Sequence, residues 1–577
     1  MFKNQIKFWI LFILLNCIIF LPKYILEYSS SSFLPFIDFG HFSLLGMIKS
    51  LFIRYNYDIF RINVDLFLMV FLFYFSRRHI NPKKIGWPAG IYYVLMLTFV
   101  VYSIFMEKIF LIKPILYDDF YLLKLGFINS EGSVSFLFLI EMLCFFGFGW
   151  LVVKVFQYFF VLTSKMQFGK KSKIALGLIG FLFLVNTFKS GLTFESQHTF
   201  QSPFLMMVDN IHYSIDAYRT LNRFDIKKLN RQMNYDQYHL RQNPNVYFLF
   251  VESYGKILYE NEMVRPKYIS LMNNCQQTLA ANGFHVHSAF SISPVSGGGS
   301  WISYSSVMFG FNLKNQATYL SLLKNEEASK YNHLYRWFKK QGYRNYRLNS
   351  MPDNENLKVP WDLYSRFYGA DEWIRFKDLD YHGDQYGFGP SPPDQYSVFY
   401  ANEYIQKKNH RPFTLFFISQ NSHNPFYCPD SVVSDWRSLN KKAKHSRQVS
   451  VLFKKPKLTE YIKAIDYDLK SFVQFIVREG KENDIFVLIG DHQPPLLTDR
   501  KNGFATPIHI ITRNSLFLSG FKKYGFIPGM LGTGNQKPLR HEGIYSMFMH
   551  EFIKNYGADT THLPVYRPEG IKLTDNE

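Results

Sequence analysis

Ile485-Phe-Val-Leu-Ile489-Gly490-Asp491-His492 is the stretch from which the fold of the C-terminal part can be read. Five apolar residues run without a break and give way at once to a glycine and two polar side chains. An uninterrupted apolar run of this length fits a parallel strand buried on both faces. Two other stretches repeat the pattern. Val246-Tyr-Phe-Leu-Phe-Val251 is followed directly by Glu252, and Phe413-Thr-Leu-Phe-Phe-Ile418 is followed a few residues later by His423. Between such runs lie segments of helical periodicity, Leu458–Glu479 being the clearest. The alternation predicts an α/β domain with a mostly parallel central sheet and helices on both faces.

In such sheets the site lies at the carboxyl ends of the strands. Three strand ends here offer Glu252, His423 and the pair Asp491-His492. Carboxylates and imidazole are hard to borderline donors, suited to manganese, zinc or magnesium. A glycine-rich turn, Ser296-Gly-Gly-Gly-Ser300-Trp-Ile-Ser-Tyr-Ser-Ser-Val-Met-Phe309, adds a hydroxyl at the start of a predicted helix. Such a helix start favours anions, and a serine beside a divalent cation is an activated nucleophile. Each residue also has an ordinary reading. Glu252 could be a surface carboxylate, Asp491 a turn residue, Ser300 a helix cap and His423 a loop histidine. His285, His287 and His509 read as packing or surface residues.

The first third is different in kind. Apolar runs near Ile6–Leu26, Val64–Phe75, Gly90–Ile112, Val134–Leu162 and Ile174–Phe188 predict five membrane helices, the second and fifth needing their flanks to reach the roughly 20 residues a span requires. The second would draw on Tyr55–Ile62. Lysines and arginines before the first run, after the second and after the fourth fall in alternate loops, which predicts a cytoplasmic N-terminus and an extracytoplasmic C-terminal part. A cleaved signal peptide is the weaker reading of the first run, because no small-residue cleavage site follows closely. The expected organisation is a transmembrane domain (residues 1–196), a partly helical connector (197–243) and a catalytic domain (244–577). Within the connector, Phe204–Val208 is apolar and a basic stretch follows, so it lies along headgroups or is a solvated linker.

The 577 residues carry a formal net charge of +20 and 19 % aromatics, including 60 phenylalanines. No nucleic-acid-binding signature accompanies the charge, so anionic lipid is the better-matched partner. The four cysteines form no CxxC and no zinc-ribbon spacing, and a disulfide between Cys275 and Cys428 cannot be inferred from sequence.

At these residues the domain resembles the lipoteichoic acid synthase branch of the sulfatase and alkaline phosphatase superfamily. It is most similar to the sulfatase-like hydrolase/transferase proteins with a Gly-Gly-Gly-Ser-Trp nucleophile loop. The resemblance covers nearly the whole chain. It implies five membrane spans of a bacterial cytoplasmic membrane, an extracytoplasmic catalytic domain, and one divalent metal, manganese first. It assigns the metal ligands to Glu252, Ser300, Asp491 and His492 and the nucleophile to Ser300. His423, in Ser422-His423-Asn424-Pro425-Phe426, would contact substrate, as would Asp353, Trp361 and Arg366, by a looser match. Two features depart from the family. The usual Gly-Lys-Thr is here Gly299-Ser300, which drops a lysine beside the nucleophile. Tyr386–Tyr396 lies outside the family pattern and receives no role. The C/S-x-P-x-R motif of true sulfatases is missing, the nearest being Ser391-Pro-Pro-Asp-Gln395, so sulfate ester hydrolysis is disfavoured. Two soluble cysteines also do not match the several disulfides of the family's phosphoethanolamine transferases.

The resulting expectation is a phosphotransferase that moves a phospholipid headgroup, phosphoglycerol or similar, onto an envelope glycan or lipid through a phosphoserine. A phosphodiesterase or phosphatase would use the same site. A non-catalytic lipid-binding or sensing protein is the reading from another class.

Overall fold

The computed structural model describes the chain except residues 1, 27–50, 55–56, 112–113, 121–135, 191–197, 221–224, 314, 353–360, 388, 442–455, 532–536 and 574–577. Two units emerge. One comprises residues 1–108, 113–116 and 130–215, the other 109–112, 117–129 and 216–577.

The first unit is helical. Its helices include Phe2–Leu26, Val64–Ser76, Pro82–Phe110 (which ends inside the second unit), Phe136–Ser164 and Lys170–Ser190. Phe8, Phe12, Phe67, Phe73, Tyr93, Phe156 and Phe160 pack between them. Ile10, Leu72, Phe75, Leu95 and Phe181 are exposed, as suits side chains that meet lipid. Three helices among the described residues are long and apolar enough to cross a membrane: Lys3–Ile25, Pro82–Phe110 and Met142–Ser164.

Three of the five expected runs meet that measure, and the second and fifth do not. Val64–Ser76 has 13 residues, about 20 Å of helix against a hydrocarbon core of about 30 Å. It does not extend back through Tyr55–Ile62, because Asn63 caps it by accepting the N–H groups of Asp65 and Leu66. Ahead of the cap, Ile62–Asn63 pairs in parallel with Phe200–Gln201, and buried Arg54 donates to Asp58 at 2.7 Å. Lys170–Ser190 has 21 residues but spends its first turn on Lys170, Lys171 and Lys173.

The second unit is built on a mixed sheet. Its strands are β1 (Val246–Val251), β2 (His285–Ile292), β3 (Arg344–Asn349), β4 (Glu372–Arg375), β5 (Phe413–Ile418), β6 (Ile485–Gly490), β7 (Ala505–Thr512), β8 (Ile527–Pro528) and β9 (Leu539–Arg540). The order is β8-β2-β7-β6-β1-β5-β3-β4, with β9 beside β2. From β6 to β4 all pairs are parallel. β7 runs antiparallel to both β6 and β2. Every residue of β1 and β6 is buried. Alternate residues feed two cores: Val246, Phe248 and Phe250 one, Tyr247, Leu249 and Val251 the other. That two-sided burial is why these strands read as unbroken apolar runs rather than as alternation.

Residues 109–111 and 117–120 belong to this unit. A Cβ on Gly297 would stand 1.8 Å from the Ile109 backbone oxygen, and Asp118 accepts the Gln316 N–H at 2.8 Å.

Candidate active site

Parallel register assembles the site. Val251 of β1 lies opposite Gly490 of β6, so Glu252 and Asp491 leave the sheet side by side. Gly490 is required here: a Cβ would fall 2.0 Å from the Tyr254 carbonyl oxygen. Asp491 Oδ1 accepts the N–H of Ser253 at 2.7 Å and that of His492 at 2.6 Å. Its Oδ2 is buried with no hydrogen-bond partner.

The glycine-rich turn brings in the hydroxyl. Gly299 takes a left-handed conformation (φ 78°) as N-cap of the helix Ser300–Phe309, a backbone state that a residue with a Cβ adopts at a cost. Ser303, one turn in, donates from Oγ to the Asp491 carbonyl at 2.6 Å and ties the helix to the end of β6. Ser300 Oγ donates to Glu252 Oε2 at 2.9 Å and lies 3.2 Å from His492 Nε2. His492 Nε2 is 3.3 Å from Glu252 Oε1 and 3.4 Å from Asp491 Oδ2. One donor atom from each of Glu252, Asp491 and His492 lies within 4.8 Å of the others, all buried.

Electrostatics match a cation-binding arrangement. Burial pushes the Glu252 carboxyl up, but the adjacent His492 and His423 outweigh it and hold the group well below the usual carboxylate range. Burial and the Glu252 charge drive Asp491 upward. Burial pushes the His492 imidazole down, yet Asp491 and Glu252 prevail and raise it to about 9. Two buried carboxyls around one imidazole, one oxygen orphaned, are donors short of a positive charge. They fit a divalent metal chemically.

A family model described as Sulfatase matches residues 244–523. Residues 244–523 form a sulfatase-family domain. The sulfatase-family domain thus spans β1 to β7 and holds the whole Glu252–Ser300–Asp491–His492 cluster. No curated protein matches the sequence. Among solved structures, the chain is similar to the integral membrane lipooligosaccharide phosphoethanolamine transferase A of Neisseria meningitidis, with 11 % identity and a TM-score of 0.46, over 92 % of this chain and 94 % of that one. It is also similar to a lipoteichoic acid synthase of Listeria monocytogenes (16 % identity, TM-score 0.35, 50 % of this chain and 71 % of that one). A third is the Streptococcus pyogenes phosphoglycerol transferase solved with sn-glycerol-1-phosphate (15 % identity, TM-score 0.33, 59 % and 80 %).

Within the sulfatase-family domain the structure brings Glu252, Ser300, Asp491 and His492 into one cluster. His423 is half-buried, and its Nδ1 lies 2.7 Å from the Asn424 carbonyl oxygen. It helps to lower the Glu252 carboxyl. Asp353 lies outside the described residues. Trp361 packs edge-on against Trp373, and Arg366 is exposed, its carbonyl accepting from Arg336. Among the described residues no hydrogen bond, ion pair or ring contact joins either to the cluster. In the second unit Arg347 on β3 is buried, 5.1 Å from the ring of Tyr304 on the Ser300 helix. One of two arginines in a strand of the sequence Arg-Asn-Tyr-Arg-Leu-Asn carries no signal that would have singled it out. Cys275 and Cys428 are both buried and free.

Proposed function

We propose that the protein is a membrane-anchored, metal-dependent phosphotransferase that moves a phospholipid headgroup, phosphoglycerol or a similar group, to an acceptor hydroxyl on an envelope glycan or lipid. The observation that carries this reading is the convergence of Glu252, Asp491 and His492 on the Ser300 hydroxyl at the tip of a helix. The sulfatase-family match and the apolar N-terminal helices support it.

Glu252, Ser300, Asp491 and His492 would hold one divalent ion, with manganese the first choice ahead of zinc and magnesium. Bound there, it would favour the ionised serine and polarise a phosphoryl oxygen. The chain's own residues supply the rest. Ser300 Oγ, donating to Glu252 Oε2 at 2.9 Å, gives up its proton to that carboxylate as it attacks phosphorus. The bond from phosphorus to the diacylglycerol oxygen breaks and leaves the headgroup phosphate on Ser300. His423, with Nδ1 set against the Asn424 carbonyl, uses Nε2 to hydrogen-bond the phosphoryl oxygens and to pass a proton to the departing diacylglycerol oxygen. In the second half the acceptor hydroxyl gives its proton to His423 and takes the phosphate, while the departing Ser300 oxygen recovers its proton from Glu252. The helix N-terminus favours the anion throughout. Membrane anchoring raises the effective concentration of a donor confined to the same surface.

The test is diacylglycerol release from fluorescent phosphatidylglycerol by the full-length protein with manganese, with and without acceptor glycans. Release that needs acceptor supports transfer. Release without acceptor makes the protein a hydrolase with the same site. No release from any phospholipid with any of the three metals overturns the reading.

A further inference from the structure

The loop carrying His423 is held from below by two carboxyls that the chemistry above does not use. Asp394 and Asp468 are both fully buried, Asp394 at the start of the helix Asp394–Lys408 and Asp468 on the helix Leu458–Glu479. Asp394 accepts three backbone contacts from the loop after β5: Gln420 N–H to both oxygens, at 3.0 and 2.9 Å, and Asn421 N–H at 2.7 Å. Its own N–H donates back to Asn421 Oδ1 at 2.8 Å. Asp468 lies against the Asp394 carboxyl and against Ser419 and Ser422, without a closed hydrogen bond on either oxygen. Those two serines reach the site. Ser419 Oγ accepts the Glu252 N–H at 2.9 Å, Ser422 Oγ donates to the Glu252 carbonyl at 2.7 Å, and the two hydroxyls are 3.0 Å apart. The Glu252 peptide is thus clamped at both ends by the loop that Asp394 fastens.

We infer that the buried carboxyls Asp394 and Asp468 position the site, fixing the His423 loop and, through Ser419 and Ser422, the Glu252 peptide on which the Ser300 hydroxyl is seated. The inference rests on the reading of Ser300 and Glu252 given above. Burial pushes both carboxyls upward, and at Asp394 the Asp468 carboxyl adds to it. Of the two, Asp394 is the one that accepts the Gln420 and Asn421 N–H groups. The two residues are then not equivalent. A carboxamide at 468 still offers Asp394 an N–H, whereas a carboxamide at 394 has one oxygen left for contacts that now occupy two, and its NH2 would face a backbone N–H.

The experiment uses full-length protein in detergent with Asp468→Asn, Asp468→Ala, Asp394→Asn and Ser422→Ala. It reads kcat and KM for diacylglycerol release, and amide exchange of Gln420 and Asn421. Asp468→Asn is expected within about threefold of wild type in kcat, and Asp468→Ala clearly below it. Asp394→Asn should lower kcat by about 100-fold with KM little changed, and speed exchange at Gln420 and Asn421. Wild-type kcat and exchange in Asp394→Asn, or equal losses in Asp468→Asn and Asp468→Ala, overturn the inference. If Asp394→Asn fails to fold, Ser422→Ala decides: a loss of about tenfold in kcat at unchanged Tm supports the linkage, and an unchanged kcat overturns it. If wild type releases nothing, the function reading fails, while exchange at Gln420 and Asn421 in the Asp468 variants still decides the pair.

Discussion

Ser300 Oγ and Glu252 Oε2 stand 2.9 Å apart, although 48 positions separate them in the chain. The contact needs β1 to end at Val251 and the helix to start at Ser300. Replacing Ser300 by Ala removes the attacking atom and little else. Turnover should fall by on the order of 10³-fold or more, with Tm shifted by a few degrees at most. Ser300→Thr keeps a hydroxyl and should retain measurable activity. Diacylglycerol release and thermal unfolding on the same preparations check both.

Chelation should abolish activity, and manganese should restore it. Asp491→Asn keeps the shape but gives up the charge facing the site, so metal affinity should drop by about 100-fold or more. Wild type should gain about 2.7 kcal/mol of stability at a metal concentration of 100 times Kd, and the variant far less at the same concentration. Thermal shift against metal concentration measures both quantities. A variant that titrates like wild type would remove Asp491 from the ligand set.

His492 sets a pH dependence. In the metal-free protein burial lowers its imidazole, but Asp491 and Glu252 raise it to about 9. A raised histidine contributes stability that is whole below its unfolded pKa, about 6.5, and is lost as pH climbs through the folded value. The metal-free protein should therefore lose stability between about pH 6.5 and 9. Metal binding must expel that proton, so affinity should rise with pH over the same window, with about one proton released per ion. Calorimetry in buffers of differing ionisation enthalpy reads the proton count directly.

Gly490→Ala should be among the most damaging single changes. Its Cβ would stand 2.0 Å from the Tyr254 carbonyl, and backbone at the end of a fully buried strand, tied to the site, cannot yield cheaply. A loss of about 3 kcal/mol or more in denaturant unfolding is expected, beyond ordinary overpacking.

Much of this site can be read in the sequence because the same residues answer two demands. β1, β5 and β6 are buried on both faces, so they appear as unbroken apolar runs, and the polar residue ending each run marks where the sheet meets solvent and ligand. The antiparallel flank was not legible in that way. β2 reads His-Val-His-Ser-Ala-Phe-Ser-Ile, with small and polar side chains that gain burial only from partners far off in sequence. The helix at Val64 is shorter than its apolar run implied, because Asn63 offers a cap that apolar periodicity does not register. Asp394 sat in a stretch with no motif. Its partner did leave a trace: Asp468 falls on the apolar stripe of its helix, between Ile465 and Phe472, where a charge has no ordinary reason to be.

The pairing of Val251 with Gly490 has an evolutionary corollary. Sliding either strand by one position would turn Glu252 or Asp491 to the opposite side of the sheet and hand each core the side chains packed in the other. Insertions and deletions in these strands are thus doubly penalised, and the chemistry is welded to the core. Divergence in donor or acceptor preference has to be accommodated in segments outside that weld, where the chain can change length without dismantling the machine.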